Sequence, residues 1–267
     1  MPTLQKLIFL TSILSILLLT VCGATASSIT RNLIKLTDKN VIIVRGPIDD
    51  TSSAKIINEL TSKQRERELY IYIISNGGSV VSGMEIIRTM QALSNNGANI
   101  KCIADTAMSM AFVIFQYCPA RYVTLSSVLM QHQLQLGVKG PINHVNSYLS
   151  FIKNMESEVD GFQANRLNLT TERFRDLTTS DWWLFGNDII VNKAADELVD
   201  VICDYEPKNI QQTITTFFGD INVTYSSCPL ATGPLEISFD RNQSAEVKNK
   251  IRESLHSYKM NPKVEPI

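Results

Sequence analysis

From residue 40 onward, β-branched runs repeatedly end in a turn and hand over to an amphipathic helical pattern, and this alternation restricts the fold more than anything else in the chain. Asn40-Val-Ile-Ile-Val-Arg45 reads as a buried strand. Gly46-Pro47 ends it, and Asp49 or Asp50 can cap a helix through about Leu60, with Ala54, Ile57 and Leu60 apolar at helical spacing. The second strand covers Glu68 to Ser75 and runs into Asn76-Gly77-Gly78, residues that tolerate positive φ and let backbones approach closely. A helix over Ser79 to Leu93 carries the stripe Val80, Met84, Ile87 and Met90, and Asn95-Asn96-Gly97 turns the chain. Ile100 to Ala104 is the third strand, followed by a helix opening at Ser109 and a strand over Arg121 to Leu125. Strands alternating with helices predict an α/β fold, a parallel sheet with helices packed on it. Ligands of such sheets bind beyond the carboxyl ends of the strands. Asn76-Gly77-Gly78 and Asp105 to Ser109 both lie at such ends.

Further on, Met130 to Gln133 reads as a short extended piece carrying His132. Pro141 to about Leu167 is helical in pattern, with Val145, Leu149, Ile152 and Met155 about a turn apart, and Thr170 to Leu177 is a second short helix. Asn192 to Leu198 is expected to be a helix leading into a last strand over Val199 to Ile202. Beyond Tyr205 the texture changes: Thr213 to Phe218 and Ile221 to Tyr225 suit a hairpin, and Ala245 to Tyr258 a charged amphipathic helix. The chain therefore divides into residues 27–204 and a C-terminal extension, 205–267, of unassigned role.

Residues 1–26 have the form of a secretory signal: a positive charge by Lys6, an apolar run from Leu7 to Val21, and the small-x-small triplet Ala24-Thr25-Ala26. The run is shorter than the ~20 residues that comfortably span a bilayer, so cleavage is expected, with an N-terminal membrane anchor as the alternative. Cys22 offers a lipoprotein site, but Val21 before it is bulky for one. Without that segment four cysteines remain, Cys102, Cys118, Cys203 and Cys228, an even number that suits an oxidising compartment. Three pairings are open to them, as are four ordinary buried thiols. Cys203 with Cys228 would staple the C-terminal region to the body, and Cys102 with Cys118 would bracket Ser109. No Cys/His cluster suggests a metal, no cofactor motif is present, and a net charge of −1 gives no pull toward nucleic acid. Asn168, Asn222 and Asn242 each begin a glycosylation triplet, which matters only in a eukaryotic secretory route.

Ser109 opens a helix, where serines most often serve as caps. The same position lies beside free backbone N–H groups that can stabilise a developing negative charge. A serine nucleophile also needs a base, an orienting acid and oxyanion donors. The histidines are His132, His144 and His256. His132 sits among apolar residues, where it could equally be a hydrogen-bonded core histidine, whereas His144 and His256 fall on solvent-facing helical positions. Carboxylates are too plentiful for spacing to choose one.

Several motifs together resemble the proteolytic subunit of the Clp protease (ClpP), a serine peptidase of the ClpP/crotonase fold, over residues 40 to 204. They are Gly46-Pro47-Ile48-Asp49-Asp50, the strand and turn from Tyr70 to Val80, and Thr89-Met90-Gln91. Ala107-Met108-Ser109-Met110, Leu129-Met130-Gln131-His132-Gln133 and Lys193-Ala-Ala-Asp-Glu-Leu-Val-Asp200 complete the set. The resemblance implies Ser109 as nucleophile, His132 as general base, Asp181 as the orienting acid, and the backbone N–H groups of Gly78 and Met110 as the oxyanion hole. It also implies peptide or unfolded-protein substrates and a homo-oligomeric ring, with the Gly137-Val-Lys-Gly140 turn and the long helix after it resembling the family's handle, through which rings pair.

This chain departs from the family pattern in places. Asn76 stands where a proline is usual, Asp105-Thr106 replaces a Gly-Gln pair, Ala111 replaces a glycine, and about four residues near Phe185 to Asp188 are extra. Asp105 would add a charge near the nucleophile. The resulting expectation is an extracytoplasmic serine endopeptidase, a hydrolase kept apart by its signal from the family's cytosolic ATPase partners. The alternatives are a Ser–Lys peptidase like signal peptide peptidase A at a membrane, a non-catalytic assembly or binding protein on the same fold, and crotonase-type acyl-CoA chemistry.

Overall fold

The computed structural model describes residues 31–216, 219–239 and 244–250. The signal-like segment, Cys22, Asn242, His256 and most of the expected C-terminal helix lie outside the described residues; 245–250 is helical. The residues from Asn32 onward belong to one compact unit.

Ten strands and six helices follow in chain order among the described residues: β1 (Asn32–Leu36), β2 (Val41–Arg45), α1 (Asp50–Lys63), β3 (Leu69–Ser75), α2 (Val80–Asn95), β4 (Ile100–Met108), α3 (Met110–Tyr117), β5 (Ala120–Gln131), α4 (Ile142–Arg166), α5 (Thr171–Thr178), β6 (Trp182–Phe185), α6 (Asn187–Val191), β7 (Glu197–Cys203), β8 (Asn209–Thr216), β9 (Gly219–Ser226) and β10 (Glu236–Phe239). The main sheet has the order β1-β7-β5-β4-β3-β2, with β6 also on β5. All its pairings are parallel except β5–β6. The expected α/β fold with a mostly parallel sheet is what forms. Apolar runs such as Leu69–Ile74 follow from it, because a parallel strand is covered on both faces. Ile42, Val44, Ile71 and Ile73 bury into the core beneath the helices, while Val41, Tyr70, Tyr72 and Ile103 pack on the other face with Ile34, Leu36 and Val199.

Most elements lie where the sequence suggests, with informative exceptions. Asp49 caps α1: its carboxylate accepts from Ser52 N at 2.8 Å, and Asp49 N donates to Ser52 Oγ at 2.9 Å. Asp50 instead accepts from Ser82 Oγ at 2.7 Å. The buried stripe of α1 is Ser53, Ile56 and Leu60, and Ala54 is exposed. Ser53 belongs inside because α1 and α2 approach closely there, and its hydroxyl donates to the Ser82 carbonyl at 3.1 Å. The helix expected over Asn192 to Leu198 is not one; α6 ends at Val191, Lys193 takes a φ of 57° that no helix continues, and β7 begins at Glu197. The sequence pattern does not announce β1, β6, α6 or β10.

The strand expected at Arg121–Leu125 and the extended piece at Met130 are two halves of β5. Ala120 to Val123 pairs with the start of β4, and Val128 to Met130 with its end. Between them the chain loops out, and the buried Ser127 hydroxyl closes the gap by donating to the Ala104 carbonyl at 2.6 Å and accepting from Thr124 N at 2.7 Å. β8, β9 and β10 form a separate antiparallel sheet. Cystines join Cys102 to Cys118 and Cys203 to Cys228, so both suggested pairings occur.

Candidate active site

β4 delivers Ser109 at its carboxyl end, directly before α3. Ser109 has φ 53° and ψ −123°, a left-handed conformation that favours glycine, and its side chain makes no capping hydrogen bond. The capping role open to it in the sequence is therefore not the one it plays. Its backbone is pinned instead: Ser109 N donates to the Met130 carbonyl at 2.9 Å, and Val113 N donates to the Ser109 carbonyl at 3.1 Å. Forcing serine into this conformation costs on the order of 1–3 kcal/mol, tolerable only where surrounding contacts overdetermine it. Because α3 starts at Met110, the first N–H groups of the helix point back toward the half-buried serine.

The glycine turn at the end of β3 backs onto this elbow. A Cβ on Gly77 (φ 95°) would lie 2.7 Å from the Met108 carbonyl oxygen, 2.8 Å from Ser109 Cβ and 2.9 Å from Met110 N. A Cβ on Gly78 (φ 147°) would meet the Ile48 carbonyl oxygen at 2.3 Å. A bridge holds the turn, with Ile48 N donating to the Gly77 carbonyl at 2.9 Å and Ser79 N to the Ile48 carbonyl at 2.7 Å. That bridge does not use the N–H of Gly78. Sequence reasoning singled out Gly78 and passed over Gly77, the residue in closest contact with the serine. Met110 also does more than offer an N–H: its buried side chain fills the space above Gly83 of α2, where a Cβ would lie 2.4 Å from Met110 Cε.

His132 follows the last residue of β5 and is half-buried. Its N–H donates to Gln131 Oε1 at 3.2 Å, and the next residue's N–H, on Gln133, donates to the Thr178 carbonyl at 3.1 Å. Ser109, Met110, Gly78 and His132 line one cavity of about 340 Å³. Asp181 does not line it and is exposed. The residue after it, Trp182, pairs with Gln131, the residue before His132, because β6 runs antiparallel on β5. Trp182 holds the junction, its ring 6.4 Å from that of Phe112 and 6.5 Å, edge-on, from that of Phe174. The extra residues near Phe185 to Asp188 form the end of β6, Gly186 and the start of α6, at the opposite end of the β5–β6 ladder from Asp181.

Asp105 is not where the sequence suggested. It is a bulge in β4: the ladders to β3 and β5 both pass from Ala104 to Thr106. It lies electrostatically against Arg45 and Tyr72, on the sheet face away from the helices, and is not among the residues lining the cavity. Burial, with the Asp105 charge adding to it, pushes the Tyr72 hydroxyl well above its ordinary pKa. His144 is exposed on α4, away from the cavity lining. Among the described residues no group of His, Cys, Asp and Glu could hold a metal, and no lysine lines the cavity. No helix among them is long and apolar enough to cross a membrane.

Comparison with known proteins agrees with this architecture. The chain is 24% identical over 169 residues to the ATP-dependent Clp protease proteolytic subunit of Borrelia garinii subsp. bavariensis, covering 62% of this chain and 87% of the Borrelia protein. The Clp protease family model matches residues 24–200, from before β1 into β7, and so takes in the elbow, the glycine turn and the β5–β6 pair. With that match across most of its length, on a mostly parallel sheet with a strained serine at the end of a central strand, the chain belongs to the Clp protease family.

Proposed function

We propose that the protein is a serine-type endopeptidase in which Ser109 is the nucleophile, His132 the general base and Asp181 the acid that orients the imidazole and stabilises its charged form. The observation that carries this reading is Ser109 itself, held at a φ of 53° at the mouth of a helix with its hydroxyl in no capping bond. A serine kept in a glycine conformation without a structural task is best explained by chemistry. In the reaction the Ser109 hydroxyl attacks the scissile carbonyl as His132 takes its proton. The oxyanion that forms receives hydrogen bonds from the Gly78 and Met110 N–H groups, and His132 then returns the proton to the leaving amine. Loss of one such donor costs ~3–4 kcal/mol of barrier. Gly78→Ala keeps its N–H, but its Cβ would press on the Ile48 carbonyl oxygen and move that N–H out of place, so the substitution is expected to be severe.

Two further parts belong to the same proposal. The cystines fit an oxidising, extracytoplasmic setting, the destination implied by the signal-like N-terminus, with membrane anchoring as its alternative. A homo-oligomer is supported by apolar residues exposed along and before α4, including Leu136, Val138, Ile142 and Phe151. Short peptides and unfolded segments would then be cleaved without nucleotide. The cavity offers no lysine for a Ser–Lys dyad among the described residues, which disfavours that mechanism. Labelling by a fluorophosphonate probe tests the reading. Wild type should label, Ser109→Ala and His132→Ala should not, and Asp181→Asn should slow turnover by up to about 10⁴-fold. Folded, assembled protein that neither labels nor cleaves peptides would overturn it in favour of a non-catalytic role.

A further inference from the structure

The cavity beside Ser109 has an unusual floor. Its walls include Val113, Met155 and Val159, and among its most buried lining side chains, with Met110, are two amides, Gln131 at 5% exposure and Gln163 at 1%. Gln131 Nε2 donates to Gln163 Oε1 at 2.6 Å, Gln163 Nε2 donates to the Val159 carbonyl at 3.3 Å, and Gln131 Oε1 accepts from His132 N. A side-chain amide carries two N–H donors and an oxygen with two lone pairs. Each glutamine is therefore left with one donor and one acceptor at the buried end of a cleft lined by both polar and apolar side chains. Buried polar capacity of this kind is costly when unmatched, and a ligand that matches it gains selectivity over one that does not.

Charge narrows the match further. Glu156 and Asp160 line the same cavity one helical turn and more toward its mouth, and no lysine or arginine lines it. A carboxylate entering would be repelled at the rim and, having no donor, would leave the glutamines' remaining acceptors unmatched at the floor. An ammonium would be drawn to Glu156 and Asp160, but it has no acceptor for the remaining N–H donors of the two glutamines. A neutral carboxamide supplies both a donor and an acceptor, and its methylenes suit the valine walls. Resting on the peptidase reading above, we propose that Gln131 and Gln163 form the floor of a specificity pocket. They select substrates in which the residue contributing the attacked carbonyl is glutamine, ahead of aliphatic or charged residues.

A peptide series differing only at that residue, with Gln, Leu, Met, Glu or Lys, tests the proposal on full-length protein. Rates are normalised to the fraction that labels with the fluorophosphonate probe. kcat/KM for Gln is expected to exceed that for Leu and Met by about tenfold, and that for Glu by about a hundredfold. In Gln163→Met the order of Gln and Leu should reverse. Labelling with Leu or Met preferred in the unsubstituted protein overturns the proposal and leaves the peptidase reading standing. A preference for Gln that survives Gln163→Met overturns the assignment to this pair. Absence of both labelling and cleavage overturns the specificity and the peptidase reading together.

Discussion

Ser109 and Gly186 adopt almost the same backbone angles, φ 53° with ψ −123° and φ 53° with ψ −122°, and each carries a strand sharply into a helix. The chain uses glycine at the second junction, where the conformation costs little, and serine at the first, where it costs more. Ser109→Gly is therefore expected to stabilise the fold by about 1 kcal/mol while abolishing probe labelling, and Ser109→Ala should abolish labelling without that gain. Paired urea titrations check both. Gly77→Ala acts in the opposite direction, since its Cβ would press on the backbone of Met108 and Met110 at a φ of 95°. A loss of roughly 2–4 kcal/mol is expected, read as a lower urea midpoint at unchanged slope. Neither glycine's partner could be read from the sequence. The Asn-Gly-Gly turn announces a need for small residues, but only the fold shows that Gly77 faces the serine and Gly78 faces Ile48. Asp105 teaches the same lesson in reverse, because only the folded sheet shows that this charge, expected beside the nucleophile, faces Arg45 and Tyr72.

Among the elements, β4 and α3 meet at the elbow and are also joined covalently, as the Cys102–Cys118 cystine closes a loop with Ser109 near its middle. Closing a loop of this size removes about 3 kcal/mol of freedom from the unfolded chain. The double variant Cys102→Ala, Cys118→Ala should lose about that much stability by denaturant titration and label more slowly at Ser109. A second tie joins the start of β5 to the turn before β7. Arg121, at 3% exposure, donates from Nη2 to Asp196 Oδ1 at 2.5 Å and from its backbone N to Asp196 Oδ2 at 2.8 Å, and it also bonds Gln116. Burial alone would push the Asp196 carboxyl up, but the hydrogen bonds and charge of Arg121, with Arg166 nearby, outweigh it and hold the group below its ordinary 3.8. A depressed carboxyl binds fewer protons folded than unfolded, so its contribution is complete above about pH 4–5 and is lost as pH falls through the folded value. Asp196→Asn should cost about 2 kcal/mol at pH 7, less than a fully buried pair because the Asp196 side chain is 40% exposed. It should also flatten the acid limb of the stability curve, which thermal melts from pH 2 to 7 would show.

For the whole molecule, the main question is how β8, β9 and β10 are held to the body. The Cys203–Cys228 cystine ties the end of β7 to the segment after β9, and Tyr205 Oη donates to the Ser227 carbonyl at 2.5 Å. Arg45, at the end of β2, stacks over the Tyr225 ring at 4.9 Å and bonds the carbonyls of Ala231 and Thr232, with Asp105 and Tyr72 behind it. Arg45→Met is expected to loosen this sheet without unfolding the parallel one. Limited proteolysis should then cut between Glu206 and Lys208 while near-ultraviolet signals from Trp182 and Trp183 persist. If the two sheets melt together at a lowered temperature instead, they form one cooperative unit.

By itself the sequence determined the parallel α/β plan, because β-branched runs, punctuating glycines and helical stripes are local signals that each segment carries alone. The elbow serine and the histidine were legible through the motifs around them. Tertiary structure alone decided the rest, since it depends on which strands become neighbours. The β5–β6 register pairs Gln131 with Trp182, Asp105 faces Arg45 and Tyr72, and the packing of α4 on β5 buries Gln163 against Gln131. Contacts between residues far apart in the chain leave no periodic trace in the sequence, so these three became visible only in the folded molecule.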